Sequence, residues 1–171
     1  MADPADAQLQ QWFNAVDLDR SGAISSGELQ QALAFGGMNF SLKVCAALIR
    51  LHDRDNSGTI SFTEFRTLNH FIMGLQQRFQ QHDTSRKGRI EKKGVEQLLQ
   101  SMGYRLDGPA FQALFSAYDP DRSGSSDIAE LVAMTVFLQG ATATFQAFDL
   151  QRQGRITLDY NQFVYAASSI G

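Results

Sequence analysis

The sequence predicts an all-α fold of eight helices in a single domain spanning residues 1–171, with two of the helices shared between neighbouring repeats. Three observations predict it. A six-residue phrase opening on Asp and closing on Gly recurs five times: Asp17 to Gly22, Asp53 to Gly58, Asp83 to Gly88, Asp119 to Gly124 and Asp149 to Gly154. The opening aspartates lie 36, 30, 36 and 30 residues apart, a rhythm that marks a repeat. Between the phrases, apolar residues return every three or four positions, the period of a helix face.

Each phrase begins a twelve-residue loop, at 17–28, 53–64, 83–94, 119–130 and 149–160, which leaves stretches of 24, 18, 24 and 18 residues between loops. Leu9, Trp12, Phe13 and Val16 mark a helix before the first loop. The first long stretch carries Gly36-Gly37-Met38-Asn39 at its middle, which is helix-stop chemistry, so it divides into two helices. The second of these bears Leu42, Cys45, Leu48, Ile49 and His52 at helical spacing. Residues 65–82 lack proline and form one helix of about 27 Å, with Phe65, Leu68, Phe71, Ile72, Leu75 and Phe79 as its core stripe. The second long stretch divides between Gly103 and Gly108-Pro109, and 131–148 is again a single helix. Gly74 and Gly140 inside the two shared helices each cost about 1 kcal/mol against Ala. The last helix ends in Phe163, Val164, Tyr165, Ala166, Ala167 and Ile170.

Composition narrows the function classes. Eighteen acidic against fifteen basic side chains give a net charge of −3, which argues against a broadly basic nucleic-acid binder. The longest uncharged run, Leu131 to Phe148, is interrupted by Thr, Gln and Gly, so no membrane-spanning segment is expected. Residues 1–20 hold Asp3, Asp6, Asp17 and Asp19 without a long apolar run, unlike a signal peptide. One cysteine excludes an intramolecular disulfide and suits a reducing, cytoplasmic setting. Cys45 with His52, His70 or His82 is conceivable as nucleophile and base, but Cys45 lies in an apolar helical pattern and no Gly-rich oxyanion loop accompanies it. A core thiol, and no enzyme, is the expectation.

The loops carry the chemistry. A twelve-residue loop with oxygens at positions 1, 3, 5, 7, 9 and 12, Gly at 6 and a bidentate Glu at 12 is the EF-hand calcium site. Position 7 contributes its backbone carbonyl, and an apolar position 8 pairs with a neighbouring loop in a short β-bridge. Loop one supplies Asp17, Asp19, Ser21, the Ala23 carbonyl and Glu28; loop two supplies Asp53, Asp55, Ser57, the Thr59 carbonyl and Glu64. Both are expected to bind Ca2+, with Ser at position 5 lowering affinity somewhat. Loop four has Asp119, Asp121, Ser123, the Ser125 carbonyl, Asp127 and Glu130, but Ser126 replaces the apolar bridge residue; whether a third Ca2+ binds there is left open. Loop three loses the bidentate ligand to Gly94 and holds Arg86, Lys87, Arg89, Lys92 and Lys93, a local charge of +3 that reads as solvated surface. Loop five offers Gln151, Gln153 and Tyr160 at positions 3, 5 and 12, so its role is pairing through Ile156 rather than metal binding.

Five such hands with two shared helices resemble the penta-EF-hand family across Leu9 to Ile170. The phrases 16–25 (Val-Asp-Leu-Asp-Arg-Ser-Gly-Ala-Ile-Ser), 103–106 (Gly-Tyr-Arg-Leu) and 148–156 (Phe-Asp-Leu-Gln-Arg-Gln-Gly-Arg-Ile) look closest to its programmed cell death protein 6 and peflin branch. The resemblance implies β-bridges between loops one and two and between loops three and four. It also implies a homo- or heterodimer through the fifth hand, around Ile156, Phe163 and Tyr165. The chain departs from that branch in placing its good sites in hands one and two rather than one and three. About eight residues precede the first expected helix, where many members carry a long Gly/Pro-rich extension. The implied function is a calcium sensor and adaptor presenting an apolar groove to a target segment, often Pro-rich in the family. Any membrane association would be peripheral and Ca2+-dependent. The alternative is a passive calcium buffer, or a dimeric regulatory subunit such as that of a calpain-like protease.

Overall fold

The structure, a computed structural model, describes residues 4–170. Its elements in order are α1 (Pro4–Val16), β1 (Ala23–Ile24), α2 (Ser26–Phe35), α3 (Leu42–His52), β2 (Ile60–Ser61), α4 (Phe62–His82), β3 (Ile90–Glu91), α5 (Lys92–Ser101), α6 (Gly108–Ala117), β4 (Ser125–Ser126), α7 (Ile128–Phe148) and α8 (Tyr160–Ile170). Eight helices with short bridges, two helices running unbroken between loops, is the architecture the repeat spacing implies. α1 begins at Pro4, earlier than the apolar pattern suggested. The helix break between α2 and α3 falls at the expected glycines: Gly37 takes φ +78° and Met38 N–H donates to the Leu33 carbonyl at 2.9 Å. Ser41 and Asp107 start α3 and α6 by accepting the Val44 and Ala110 amides.

β1 pairs antiparallel with β2, placing Ile24 opposite Ile60, and β3 pairs with β4, placing Ile90 opposite Ser126. Ser126 therefore does not prevent the rear bridge. It is buried, with its hydroxyl donating to the Asp127 carbonyl at 3.1 Å, so the bridge forms with an apolar side chain on one strand only. Ile24 and Ile60 are fully buried. Ile24→Ala is expected to destabilise the calcium-free protein by about 2–5 kcal/mol, and adding Ile60→Ala should cost less than the sum, since the two share one space. Urea unfolding in chelator measures both.

Two buried clusters form the core. The front one gathers Leu9 and Phe13 of α1, Leu29 of α2, Cys45 and Leu48 of α3, and Phe65 and Leu68 of α4. Phe13 meets Phe62 and Phe65 edge-on at 5.6 and 5.5 Å. The rear cluster gathers Phe79, Val95, Leu98, Leu99, Phe111 and Phe115. α7 serves both, giving Val132 and Val136 to the front and Leu131, Met134 and Leu138 to the rear. Burial on all sides explains why its first half is apolar without a clear stripe. By length and composition α7 is sufficient to cross a membrane despite its Thr, Gln and Gly. Its buried first half is a core helix. Gly140 sits where the end of α8 comes down on α7, with Ile170 directly above it. Trp12, by contrast with its neighbours, stays half exposed.

Candidate calcium centres

All five loops share one backbone turn over their first six residues. The residue at position 4 lies in the left-handed region in each, from Arg20 at 58° to Arg152 at 53°, and the position 6 glycine follows at φ between 70° and 84°. The position 1 aspartate closes this turn itself, its Oδ2 accepting the glycine amide at 2.7–3.0 Å in every loop. Asp83 and Asp149 are thereby accounted for as turn-forming residues. The loops differ in what else they aim inward.

In loop one the carboxylates of Asp17, Asp19 and Glu28 bring oxygens within 4.8 Å of one another, and Asp53, Asp55 and Glu64 do the same in loop two. Oxygens on opposite sides of a Ca2+ are separated by about 5 Å, twice the usual coordination distance. Ser21 Oγ lies between two of the other ligands, 3.4 Å from Asp17 Oδ1 and 2.9 Å from the Ala23 carbonyl. Ser57 repeats this with Asp53 and Thr59 at 3.5 and 3.3 Å. Three carboxylates, a hydroxyl and a carbonyl, all oxygen, form a donor set that fits a hard divalent cation.

The position 12 glutamates are anchored from two sides. Glu28 Oε1 accepts the Leu18 amide at 2.9 Å, while its Oε2 accepts the Ser25 amide and hydroxyl at 2.9 and 2.7 Å. Glu64 is held alike by the Arg54 amide at 2.8 Å and by Ser61 at 2.9 and 2.7 Å. Ser25 with Glu28 and Ser61 with Glu64 are also the capping boxes of α2 and α4, so the candidate ligand doubles as a helix cap. The Ser25 hydroxyl and amide lower the Glu28 carboxyl below its ordinary value. Burial would raise Glu64, yet the Ser61 and Arg54 donors bring it below its ordinary value too. Both carboxylates are therefore held ionised at neutral pH.

Besides Ser126, three features set the surroundings of loop four apart. Asp119, Asp121 and Glu130 converge as in the front loops, and Ser123 Oγ contacts Asp119 Oδ1 and the Ser125 carbonyl at 3.2 and 2.9 Å. At position 2, however, stands Pro120, which has no amide to give Glu130. At position 9 stands Asp127, which offers its amide at 2.9 Å but no hydroxyl and adds a negative charge. Burial, with the charges of Asp127 and Asp121 adding to it, raises the Glu130 carboxyl above its ordinary value, opposite to Glu28 and Glu64. The third difference is Arg89. Its Nη2 lies 2.7 Å from Ser123 Oγ, 3.0 Å from the Ser125 carbonyl, 3.4 Å from Glu130 Oε2 and 3.7 Å from Asp121 Oδ2, and its Nε donates to Ser125 Oγ at 2.8 Å.

The basic cluster of loop three is thus not uniformly solvated surface. Arg86, Lys87 and Lys93 are exposed, but Arg89 reaches into loop four and Lys92 lies over the rings of Phe111 and Phe115 at 5.8 and 5.6 Å. Loop three has no inward Glu; Gly94 packs against Ile90, where even a Cβ would come within 3.1 Å of Ile90 Cγ2. In loop five the side chains at positions 3 and 5 satisfy each other, Gln153 Nε2 donating to Gln151 Oε1 at 2.7 Å. Its helix is capped two positions later than in the other hands, by Asp159 accepting the Gln162 amide at 2.8 Å. Ile156 has no strand partner among the described residues. Of these features, the missing Pro120 amide was readable in the sequence, whereas the reach of Arg89 needed the β3–β4 register.

A family model described as an EF-hand domain pair matches residues 6–68, the two hands with complete ligand sets. Sorcin from Homo sapiens is 30% identical over 167 residues, which cover 95% of this chain and 83% of sorcin. The chain belongs to the penta-EF-hand family. Within that family, peflin from Homo sapiens is 34% identical over 96% of this chain and 58% of peflin, and peflin from Danio rerio is 31% identical over 94% and 60%. The penta-EF-hand chain described here thus spans less than two thirds of the length of either peflin. A solved structure described as a homolog of programmed cell death 6 protein from Leishmania major Friedlin is 37% identical, with a TM-score of 0.72 and coverage of 95% of this chain and 94% of that one. The chain is a calcium-binding EF-hand protein, and its three acidic clusters are compatible with Ca2+ at several sites.

Cys45, the other chemically active side chain, is fully buried, and burial pushes its thiol up to about 11. That is the wrong direction for a thiolate nucleophile.

Proposed function

We propose that the chain is a calcium sensor and adaptor: Ca2+ held by Asp17, Asp19, Ser21, Ala23 and Glu28, and by Asp53, Asp55, Ser57, Thr59 and Glu64, alters the helices that wall an apolar groove for a partner segment. The observation that carries this reading is the groove itself. It encloses about 990 Å³ between α3, α6, α7 and α8, with Val44, Ala47, Ala113, Ala133, Val136 and Phe137 among its lining. Its walls are continuous with the loops: α3 runs directly into Asp53, and α7 begins at the cap holding Glu130. An alanine-rich bed leaves room for bulkier side chains from outside, and a Pro-rich segment suits it because its extended backbone is ordered at little entropic cost. The three prolines of residues 1–171, Pro4, Pro109 and Pro120, lie far apart, so none of these residues forms such a segment.

The reading extends to assembly and setting. Leu150, Tyr160, Phe163, Val164 and Tyr165 of the fifth hand are exposed, and they support dimerisation through that hand. A binding role without catalysis, in the reducing cytoplasm, accords with the buried thiol.

The experiment is hydrophobic-dye fluorescence with and without Ca2+. The expected result is a Ca2+-dependent rise that is lost in Glu28→Ala/Glu64→Ala and diminished when Ala133→Glu puts a charge into the groove. A flat dye response alongside stoichiometric Ca2+ uptake would overturn the sensor in favour of a passive buffer.

A further inference from the structure

Position 7 of an EF-hand loop contributes its carbonyl, and its side chain is free to point across the bridge. In the front pair those side chains are Ala23 and Thr59, too short and uncharged to act on the neighbouring loop. In loop three the residue is Arg89, and the pairing of Ile90 with Ser126 sets its stem alongside loop four. The guanidinium then meets the oxygens at positions 3, 5, 7 and 12 of loop four at 2.7–3.7 Å through the single atom Nη2. Those are the oxygens a Ca2+ would need, and Nη2 stands among them.

We propose that Arg89 is a tethered cation that masks the fourth loop, so that Ca2+ enters loop four only by displacing this guanidinium. The proposal deepens the calcium reading of the loops and rests on it. Three features support it beyond the acidic cluster itself. The competing group comes from outside the cluster and is covalently attached next door, so it never dilutes away. Its planar donors satisfy oxygens that would otherwise repel one another in a loop of net charge −3. And the Arg89 side chain remains about one-third exposed, which leaves it a way out to solvent when a doubly charged ion arrives. The two cations cannot coexist there, because Ca2+ takes six to eight oxygens and these lone pairs are already engaged. Glu130 also lines the apolar groove, so an exchange of cations at loop four takes place at the groove wall.

Calorimetric Ca2+ titration of the full chain tests this with wild type, Arg89→Ala, Arg89→Met and Arg89→Ala/Glu130→Ala. Arg89→Met keeps the aliphatic stem and guards against a loss of folding in the alanine variant. The expected result is that both single variants bind Ca2+ at loop four about tenfold or more tightly than wild type, the scale of losing one or two charge-assisted hydrogen bonds, with loops one and two unchanged. The gain should vanish in Arg89→Ala/Glu130→Ala. Unchanged stoichiometry and affinity in both single variants, with loops one and two still titrating, would overturn the masking alone. Failure of every loop to titrate would overturn the calcium reading beneath it.

Discussion

Glu64→Ala removes one Ca2+ from the calorimetric isotherm and leaves the site of loop one intact, and Glu28→Ala does the converse. The expected loss at the altered loop is roughly 100-fold or more, because even outer groups that merely orient metal ligands are worth 10–100-fold, and here the bidentate ligand itself is gone. The two glutamates are equivalent in geometry, each anchored by an amide at position 2 and by a serine at position 9. The same anchoring makes them helix caps, so each alanine variant is also expected to lose about 1 kcal/mol of stability in chelator. Glutamine separates the two effects. Glu64→Gln retains an acceptor for the capping box while losing the carboxylate charge, so it should recover much of the stability and little of the affinity. If Glu64→Ala titrates like wild type, loop two is not the site.

Phe163→Asp with Tyr165→Asp is expected to abolish the dimer proposed through the fifth hand. In the wild type, sedimentation should report a dimer of the 19.0 kDa chain. The reasoning is that α8 presents Phe163 and Tyr165 outward at 60% and 67% exposure, beside Leu150 and Tyr160, while its buried anchor is Ala166. Such a strip with an unpaired strand position beside it is self-complementary across a two-fold axis. Two carboxylates placed there would face their own copies across that axis, and burying unpaired charges in an interface is strongly unfavourable. Tyr165 also meets Phe148 edge-on at 6.5 Å within the chain, so Phe163→Asp alone serves as the variant that keeps that ring contact. A wild type that sediments as a monomer at micromolar concentration would remove the dimer from the reading.

The loops were legible in the sequence because EF-hand chemistry is local: five ligands, one obligatory glycine and a capping glutamate fall within twelve consecutive residues. The shared helices were legible for a different reason, since an 18-residue stretch between two loops leaves no room for a second helix and a turn. What escaped was whatever depended on register between distant segments. Nothing near Arg89 in the chain indicates that its guanidinium will stand among the oxygens of Ser123, Ser125 and Glu130. The solvated reading of Lys92 failed for the same reason, its aromatic partners lying on α6. Pro120 was visible but uninterpreted, because position 2 is no ligand and its amide matters only through Glu130. Ser126 replaces the apolar bridge residue, yet the rear bridge expected between loops three and four still closes through backbone pairing with Ile90.

α4 connects loop two to loop three without interruption, from Phe62 to His82. Twenty-one residues make a rod of about 31 Å, and swinging such a rod by about 5° about its first turn displaces its far end by about 2.7 Å. The capping box of Ser61 and Glu64 sits at the pivot, and the entrance to the Arg89 loop sits at the tip. Mechanically, loop two and loop three are therefore two ends of one lever, and a small angular change at the Ser61–Glu64 capping box becomes a displacement of bond length or more at the entrance to the loop that carries Arg89.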